Sequence, residues 1–282
     1  MHNQHIMQQK TLKSGVIIEG AGLHSGKKSR VMISPAETDF GIRFAVDGRQ
    51  IPATYDNVYD TRLCTCLGSE QAGVSTIEHV MFALRAHGIT NALIETDSRE
   101  MPICDGSAKV WFDAIQPAIQ DKPAKVLEIL QPVMVQSGDS WAKFEPYDQA
   151  LFDVTVDYGR AIRKQSASVD MRDMEKLARI ASARTFCLWN WVLMMKLTGR
   201  ARGGNFGNAI IVGPFGKVLN RGGLKFEDEF AAHKLLDAIG DMHMAGYLIK
   251  GRYEGHKAGH GRNIELLRAV FSNSDNYRIA IS

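Results

Sequence analysis

His233, Asp237 and Asp241 recur at four-residue intervals in the stretch 226–249, FEDEFAAHKLLDAIGDMHMAGYLI. At 3.6 residues per turn the three drift only about 40° per step and project from one face of a helix. A neutral imidazole and a carboxylate one turn apart can grip a divalent cation. Two ligands do not make a catalytic site. A hydrolytic zinc centre commonly takes three protein ligands, leaves a fourth position for water and keeps a carboxylate nearby as general base. Among nine histidines, His79 stands out because Glu78 precedes it near the start of a second helical stretch, STIEHVMFALRAHG at 75–88. His79, His233 and Asp237 would then be the ligands and Glu78 the base. Bland readings compete. Ser75-x-x-Glu78 fits a capping box, in which the Glu only satisfies a backbone N–H. His79 alone fits a structural histidine, and His-x3-Asp also occurs on solvated helix faces. His2 and His5, in the first six residues, are given no role. Local pattern thus reaches a candidate metal hydrolase.

The elements that must position these groups are β-rich runs alternating with helices. VIIEG, RVMISP, GIRFAV and RLCTCL read as strands before residue 68, separated by Gly, Pro, Asn and Asp. After the 75–88 helix come a strand, NALIETD, the turn-like PICDGSA and a helix over 109–119. QDKPAK at 120–125 is polar with a proline and reads as a linker, dividing the chain into domains 1–122 and 126–282. Strands resume with KVLEIL, VMVQ, WAKFEP and LFDVTVDY. A helix over 171–180, the ARTF motif, an apolar segment over 187–197, the Gly203-Gly204 turn and the strand NAIIVG follow. The metal-helix stretch, a strand near 248–253 and a helix over 263–271 end the chain. Each half gives strands, a long helix, a strand and a shorter helix. This weak repeat favours an α+β fold of two duplicated layers packed face to face, with the metal between them.

Composition bounds the partners. With 282 residues, 45% of them hydrophobic, the chain supports one large or two ordinary cores. A net charge of +3 and no Lys/Arg run give no nucleic-acid footprint. The four cysteines lack CxxC spacing and no secretory signal is evident, which points to reduced thiols in a cytoplasmic protein. The most apolar segment, CLWNWVLMMKL at 187–197, is about half the length of a membrane span and is interrupted by Asn190 and Lys196. It reads either as core helix or as a wall against something greasy.

The ordered blocks GAGLHSGK, DTRLCTCL, STIEHVMFAL, MPICDGSA, ARTF, GG with NAIIV, LKFEDEFAAHKLLDAIGD and KAGH spread over more than 230 residues. On these the chain resembles the UDP-3-O-acyl-N-acetylglucosamine deacetylases, zinc amidases of lipid A (lipopolysaccharide) biosynthesis. The resemblance implies two duplicated α+β domains with the helices sandwiched between the sheets and the metal site at the domain interface. By matched position it implies His79, His233 and Asp237 as Zn²⁺ ligands, with Glu78 as base and His260 as electrostatic and general-acid partner, supplied by the second domain. Asp241 would hold His260, Thr185 would help stabilise the oxyanion, and Lys234 and Lys257 would lie around the substrate near its diphosphate, Lys234 within the catalytic set. Cys64, Phe186 and Gly204 would line the cleft and Tyr158 would approach the uridine. The implied partner is an acylated UDP-amino-sugar, hydrolysed by a monomer in the cytoplasm. A His2Asp site also suits iron(II) or cobalt. After ARTF the family often carries charges where this chain has Leu188-Trp189-Asn190-Trp191-Val192-Leu193. Gly203-Gly204-Asn205-Phe206-Gly207 lacks the family's acidic residue, Ser140 stands where a basic one is frequent, and Gly159-Arg160-Ala161 replaces a His-Pro pair after Tyr158.

Overall fold

Period-two alternation builds the first sheet. In the strand Lys28–Pro35, Ser29, Val31 and Ile33 turn inward while their neighbours face water. This strand is paired with Val16–Ala21 and Ala92–Thr96, and the sheet continues through Ile42–Val46 to Arg49–Pro52, five strands in all. A second, seven-stranded sheet is organised around Leu248–His256. That nine-residue strand runs parallel to Lys125–Ile129 and Ala150–Val156 and antiparallel to Ser140–Glu145. The computed structural model describes residues 7–281, so His2 and His5 lie outside the described residues, as does the side chain of Leu193.

Six α-helices are present among the described residues: α1 (Glu78–Ala86), α2 (Lys109–Ala114), α3 (Met174–Ala181), α4 (Trp189–Leu197), α5 (Glu229–Met242) and α6 (His260–Phe271). Every residue of α1 is buried, as is all of α5 except Lys234. α5 packs on Ala150–Val156 and Gln165–Asp170 of the large sheet and, on its other side, against α1. The helices therefore form the layer between two sheets, the α+β sandwich that the repeat and the resemblance predict. Gly240 sets the separation of α1 and α5: a Cβ there would lie 2.2 Å from the Glu78 carbonyl oxygen. Without a side chain at 240, the backbone of α5 can approach the first turn of α1, where Glu78 and His79 sit.

Several boundaries differ from the sequence reading, each for a local reason. Most of the polar stretch 120–125, read as a domain boundary, lies in the strand Pro117–Pro123, paired antiparallel with Gln8–Leu12. Ladder hydrogen bonds come from the backbone and need no apolar side chains, and a proline is tolerated at the end of an edge strand. The 226–249 stretch is helical only over Glu229–Met242; a 3₁₀ turn at His243–Ala245 and Gly246, with φ of 76°, reverse the chain into the central strand. α1 starts at Glu78 because Ser75 is the end of a strand and Thr76 has a φ of 61°. α2 stops at Ala114, α3 starts at Met174 behind an Asp173 cap on the Lys176 N–H, and α6 starts at His260, three residues before the expected start.

Candidate metal centre

α1 and α5 bring their polar residues together in the buried layer. Ligand atoms of His79, His233 and Asp237 all lie within 4.8 Å of one another. Asp237 Oδ1 is 3.5 Å from His233 Nε2 and 3.9 Å from His79 Nε2, and the two imidazole rings are nearly perpendicular, 5.2 Å apart. His233 Nδ1 donates to the Ala183 carbonyl at 3.1 Å, which leaves the Nε2 lone pair for the centre. Lys234 Nζ donates to Asp237 Oδ2 at 2.8 Å, orienting the carboxylate so that Oδ1 faces the histidines.

The protonation states fit a cation. Burial, then the neighbouring His233, depresses His79 to about 3. Burial likewise lowers His233. Burial alone would raise Asp237, but Lys234 and the surrounding histidines outweigh it and hold the carboxyl well below the usual carboxylate range. Two neutral imidazoles and one carboxylate are the donor set that a tetrahedral zinc-type ion takes from a protein while keeping one open position.

Glu78 and His260 flank this triad. Glu78 Oε2 accepts the Thr65 N–H at 3.1 Å, not an N–H of the 75–77 segment, so the capping-box reading does not hold. Burial raises the Glu78 pKa well above its ordinary value. His260 Nδ1 donates to Asp241 Oδ2 at 2.9 Å, and Asp241 is anchored further by the Asn263 amide at 2.8 Å and the Thr65 hydroxyl at 2.5 Å. Burial would discharge His260, yet Asp241, then Glu78 and Asp237, push it up to about 10. The site thus holds a carboxyl that readily carries a proton next to an imidazolium that readily keeps one. Thr65 was missed by the sequence reading; its only signal was its place in the DTRLCTCL block between two cysteines.

Glu78, His79, His233, Asp237 and His260 open onto one cleft of about 790 Å³. Thr185 borders it on the strand Phe186–Leu188 side, its N–H donating to the Gly106 carbonyl at 2.7 Å. Gly106 has a φ of 85° and touches the Asn208 backbone so closely that a Cβ would lie 2.1 Å from Asn208 O, so only glycine lets the 104–108 turn reach Thr185. Arg184 fixes the same segment to α5 with a two-pronged ion pair to the fully buried Glu229, 2.8 and 3.0 Å. Cys64, Tyr158, Phe186, Lys234 and Gly204 also line the cleft. Phe186 lies edge-on to Phe230, 4.9 Å away, and to Tyr158 at 5.8 Å, forming an aromatic wall beside His233. Cys64 is no nucleophile: a contact of 3.7 Å with the Cys66 thiol, and burial, push its pKa far up.

Lys257 sits apart from the other predicted site residues. Its ammonium pairs with Asp139 at 2.6 Å, and it is not among the cleft-lining residues, although Ser140 and Gly259 beside it are. The apolar segment divides: Cys187, Trp189, Trp191, Val192 and Met195 border the cleft, while Met194 and Leu197 do not. His24 was passed over in the sequence. It lines the cleft near Cys64, its backbone N–H held by Glu100 Oε1 at 2.6 Å.

Residues 9–272 match the family model described as UDP-3-O-acyl N-acetylglycosamine deacetylase. Curated proteins bearing the name UDP-3-O-acyl-N-acetylglucosamine deacetylase are similar over nearly the whole length. One from Cellvibrio japonicus (strain Ueda107) is 38% identical, with 96% of this chain and 92% of that protein covered. One from Pasteurella multocida (strain Pm70) is also 38% identical at the same coverage, and one from Idiomarina loihiensis is 39% identical over 95% and 90%. A buried His-His-Asp triad with a carboxyl and a carboxylate-held histidine beside it, in a chain matched over nearly its whole length, places this protein in the UDP-3-O-acyl-N-acetylglucosamine deacetylase family.

Proposed function

We propose that this protein hydrolyses the acetamide of UDP-3-O-acyl-N-acetylglucosamine, releasing acetate and the free amine, as a step of lipid A biosynthesis. The observation that carries the reading is the convergence of His79, His233, Asp237, Glu78 and the His260–Asp241 pair on one cleft. A Zn²⁺ ion held by His79, His233 and Asp237 would supply Lewis acidity toward the amide carbonyl and lower the pKa of a water; iron(II) suits the same donors. Glu78, with Oε2 tied to the Thr65 N–H, keeps Oε1 free to take the proton from the attacking water. His260, kept cationic by Asp241, donates from Nε2 toward the negative charge that develops on the carbonyl oxygen, and Thr185 supplies a hydroxyl on the same side. Glu78 or His260 then hands a proton to the leaving amine, which cannot depart as an anion.

The cleft also suits the rest of such a substrate. Phe186, Trp189, Val192 and Met195 offer an apolar passage for a fatty acyl chain, and Lys234, bonded to Asp237, brings an ammonium to the edge of the reaction centre. Tyr158 and Gly204 lie where they can contact the sugar-nucleotide, and Lys257, one step outside the cleft, can reach a diphosphate once it leaves Asp139. All the site residues come from one chain, so a monomer suffices. Four free cysteines agree with the cytoplasm, and no helix among the described residues is long and apolar enough to cross a membrane.

Acetate release from the acylated UDP-sugar, measured before and after a strong chelator, tests the reading. Activity should vanish on chelation and return with added Zn²⁺. Full turnover in the chelated protein, or equal turnover on a sugar lacking the acyl chain, would sink the metal or the passage assignment respectively.

A further inference from the structure

Helix α4 keeps a feature that the cleft does not account for. Its sequence WNWVLMMKL is apolar nearly all round. One side borders the cleft, but Met194 and Leu197 do not and stand 61% and 74% exposed. Trp191, half exposed at the rim of the cleft, Met194 and Leu197 follow one another at three-residue spacing and so form an apolar stripe that runs from the cleft edge to the outer side. Large apolar side chains grouped in this way on a surface mark an interaction site, and tryptophan is favoured where apolar and wet phases meet.

The segment that carries the stripe is basic. Between Glu175 and Glu227 the chain has no Asp or Glu, yet nine Lys and Arg. Arg179, Arg184 and Lys225 are paired with Asp228, Glu229 and Asp105. Among the described residues, Lys196, Arg200, Arg202, Lys217 and Arg221 have no carboxylate within ion-pair distance. The loop that follows Tyr158 adds exposed Arg160, Arg163 and Lys164, while Asp157 at its start is taken up by the Gly159 N–H at 2.9 Å. The loop adjoins α4, since Tyr158 lies edge-on to Trp191 at 6.5 Å. The turn Pro214–Gly216 packs on the Arg160 and Ala161 carbonyls and holds Phe215, 87% exposed, beside the same loop.

We propose that α4 and the basic loops flanking it dock the protein on the surface of an anionic phospholipid bilayer. Trp191, Met194 and Leu197 enter the headgroup layer, and the unpaired cations lie over lipid phosphates. Exposed Lys196 on α4 and Arg160, Arg163 and Lys164 in the adjoining loop give this stripe the basic border of surface-lying amphipathic segments. Because the inner side of α4 is cleft wall, docking in this way sets the cleft mouth beside the membrane. The docking is read from the surface and does not depend on the reaction.

Sedimentation of the metal-loaded protein with phosphatidylglycerol-rich vesicles, and with pure phosphatidylcholine vesicles, tests it. Binding should favour the anionic vesicles strongly and fall in high salt. Replacing two apolar side chains in Met194→Gln/Leu197→Gln should weaken it about tenfold. Arg163→Glu/Lys164→Glu should weaken it by at least about fivefold per reversed charge. Neither pair lines the cleft, so turnover of substrate free in solution should stay at the parent level in both variants, which certifies their folding. Vesicle binding unchanged in the two variants, or equal binding to neutral vesicles, would overturn the proposal. Absence of vesicle binding by the parent protein would also overturn it and give the face to a protein partner.

Discussion

Two carboxyl-bearing residues a few ångströms apart are given opposite tasks by their surroundings. Glu78 has one backbone N–H, and its burial outweighs the nearby His260, so its neutral form is favoured; Asp241 has an imidazolium, an amide and a hydroxyl, so its charge is held. Glu78→Ala should lower kcat by about 10²–10⁴ while leaving bound metal unchanged, measured by acetate release and metal analysis. Asp241→Asn removes the charge that holds His260 protonated. The alkaline limb of the pH–rate profile should then move down by about 1–3 units, and an unmoved limb would exclude His260 as its source. Stability follows the same groups. His260 is raised above its ordinary 6.5 to about 10, so its contribution is complete below about 6.5 and lost as pH rises through 10. Asp237 is depressed below its ordinary 3.8, so its contribution is present above that value and lost as pH falls beneath it.

At the scale of elements, the site depends on how closely α5 approaches α1. Gly240→Ala puts a methyl group 2.2 Å from the Glu78 carbonyl oxygen, backbone that cannot swing aside. Overpacking of this kind should cost about 1–3 kcal/mol in denaturant unfolding. Because the displaced residues are Glu78 and His79, metal affinity and turnover should fall with it. Arg184→Met should destabilise by about 3–5 kcal/mol, since it leaves the Glu229 carboxylate buried without its cation. Its effect on kcat should arise through Thr185, whose strand Arg184 fixes to α5.

At the scale of the whole molecule, the proposed ligands come from two different helices, His79 from α1 and His233 with Asp237 from α5. A bound ion would tie the two together and would do so only in the folded state. Chelation should therefore lower Tm in a scan, and a metal concentration about 100-fold above Kd should restore about 2.7 kcal/mol. An unchanged Tm would mean that the triad holds no ion in the folded protein. The strand Pro117–Pro123, paired back onto Gln8–Leu12 in a two-stranded sheet of its own, fixes the middle of the chain to its N-terminal strand.

The sequence by itself determined the metal-binding pattern. The His233–Asp237 spacing needs only helical periodicity, and Glu78-His79 needs only adjacency at a helix start, so both were visible without coordinates. Strand alternation likewise announced the sheets, because one face of each is buried. Tertiary structure decided what local pattern cannot hold. Whether Glu78 is a cap or a free carboxyl turned on Thr65, distant in space until the sheets closed. The polar residues 120–123 are strand because a partner 115 residues earlier offers its backbone, Gln8 opposite Pro123. Met194 and Leu197 were separated from their neighbours in the apolar segment only when one side of α4 became cleft wall. Spacing along the chain fixes which side chains share a face; what that face meets is set by elements remote in sequence, through contacts that no local period records.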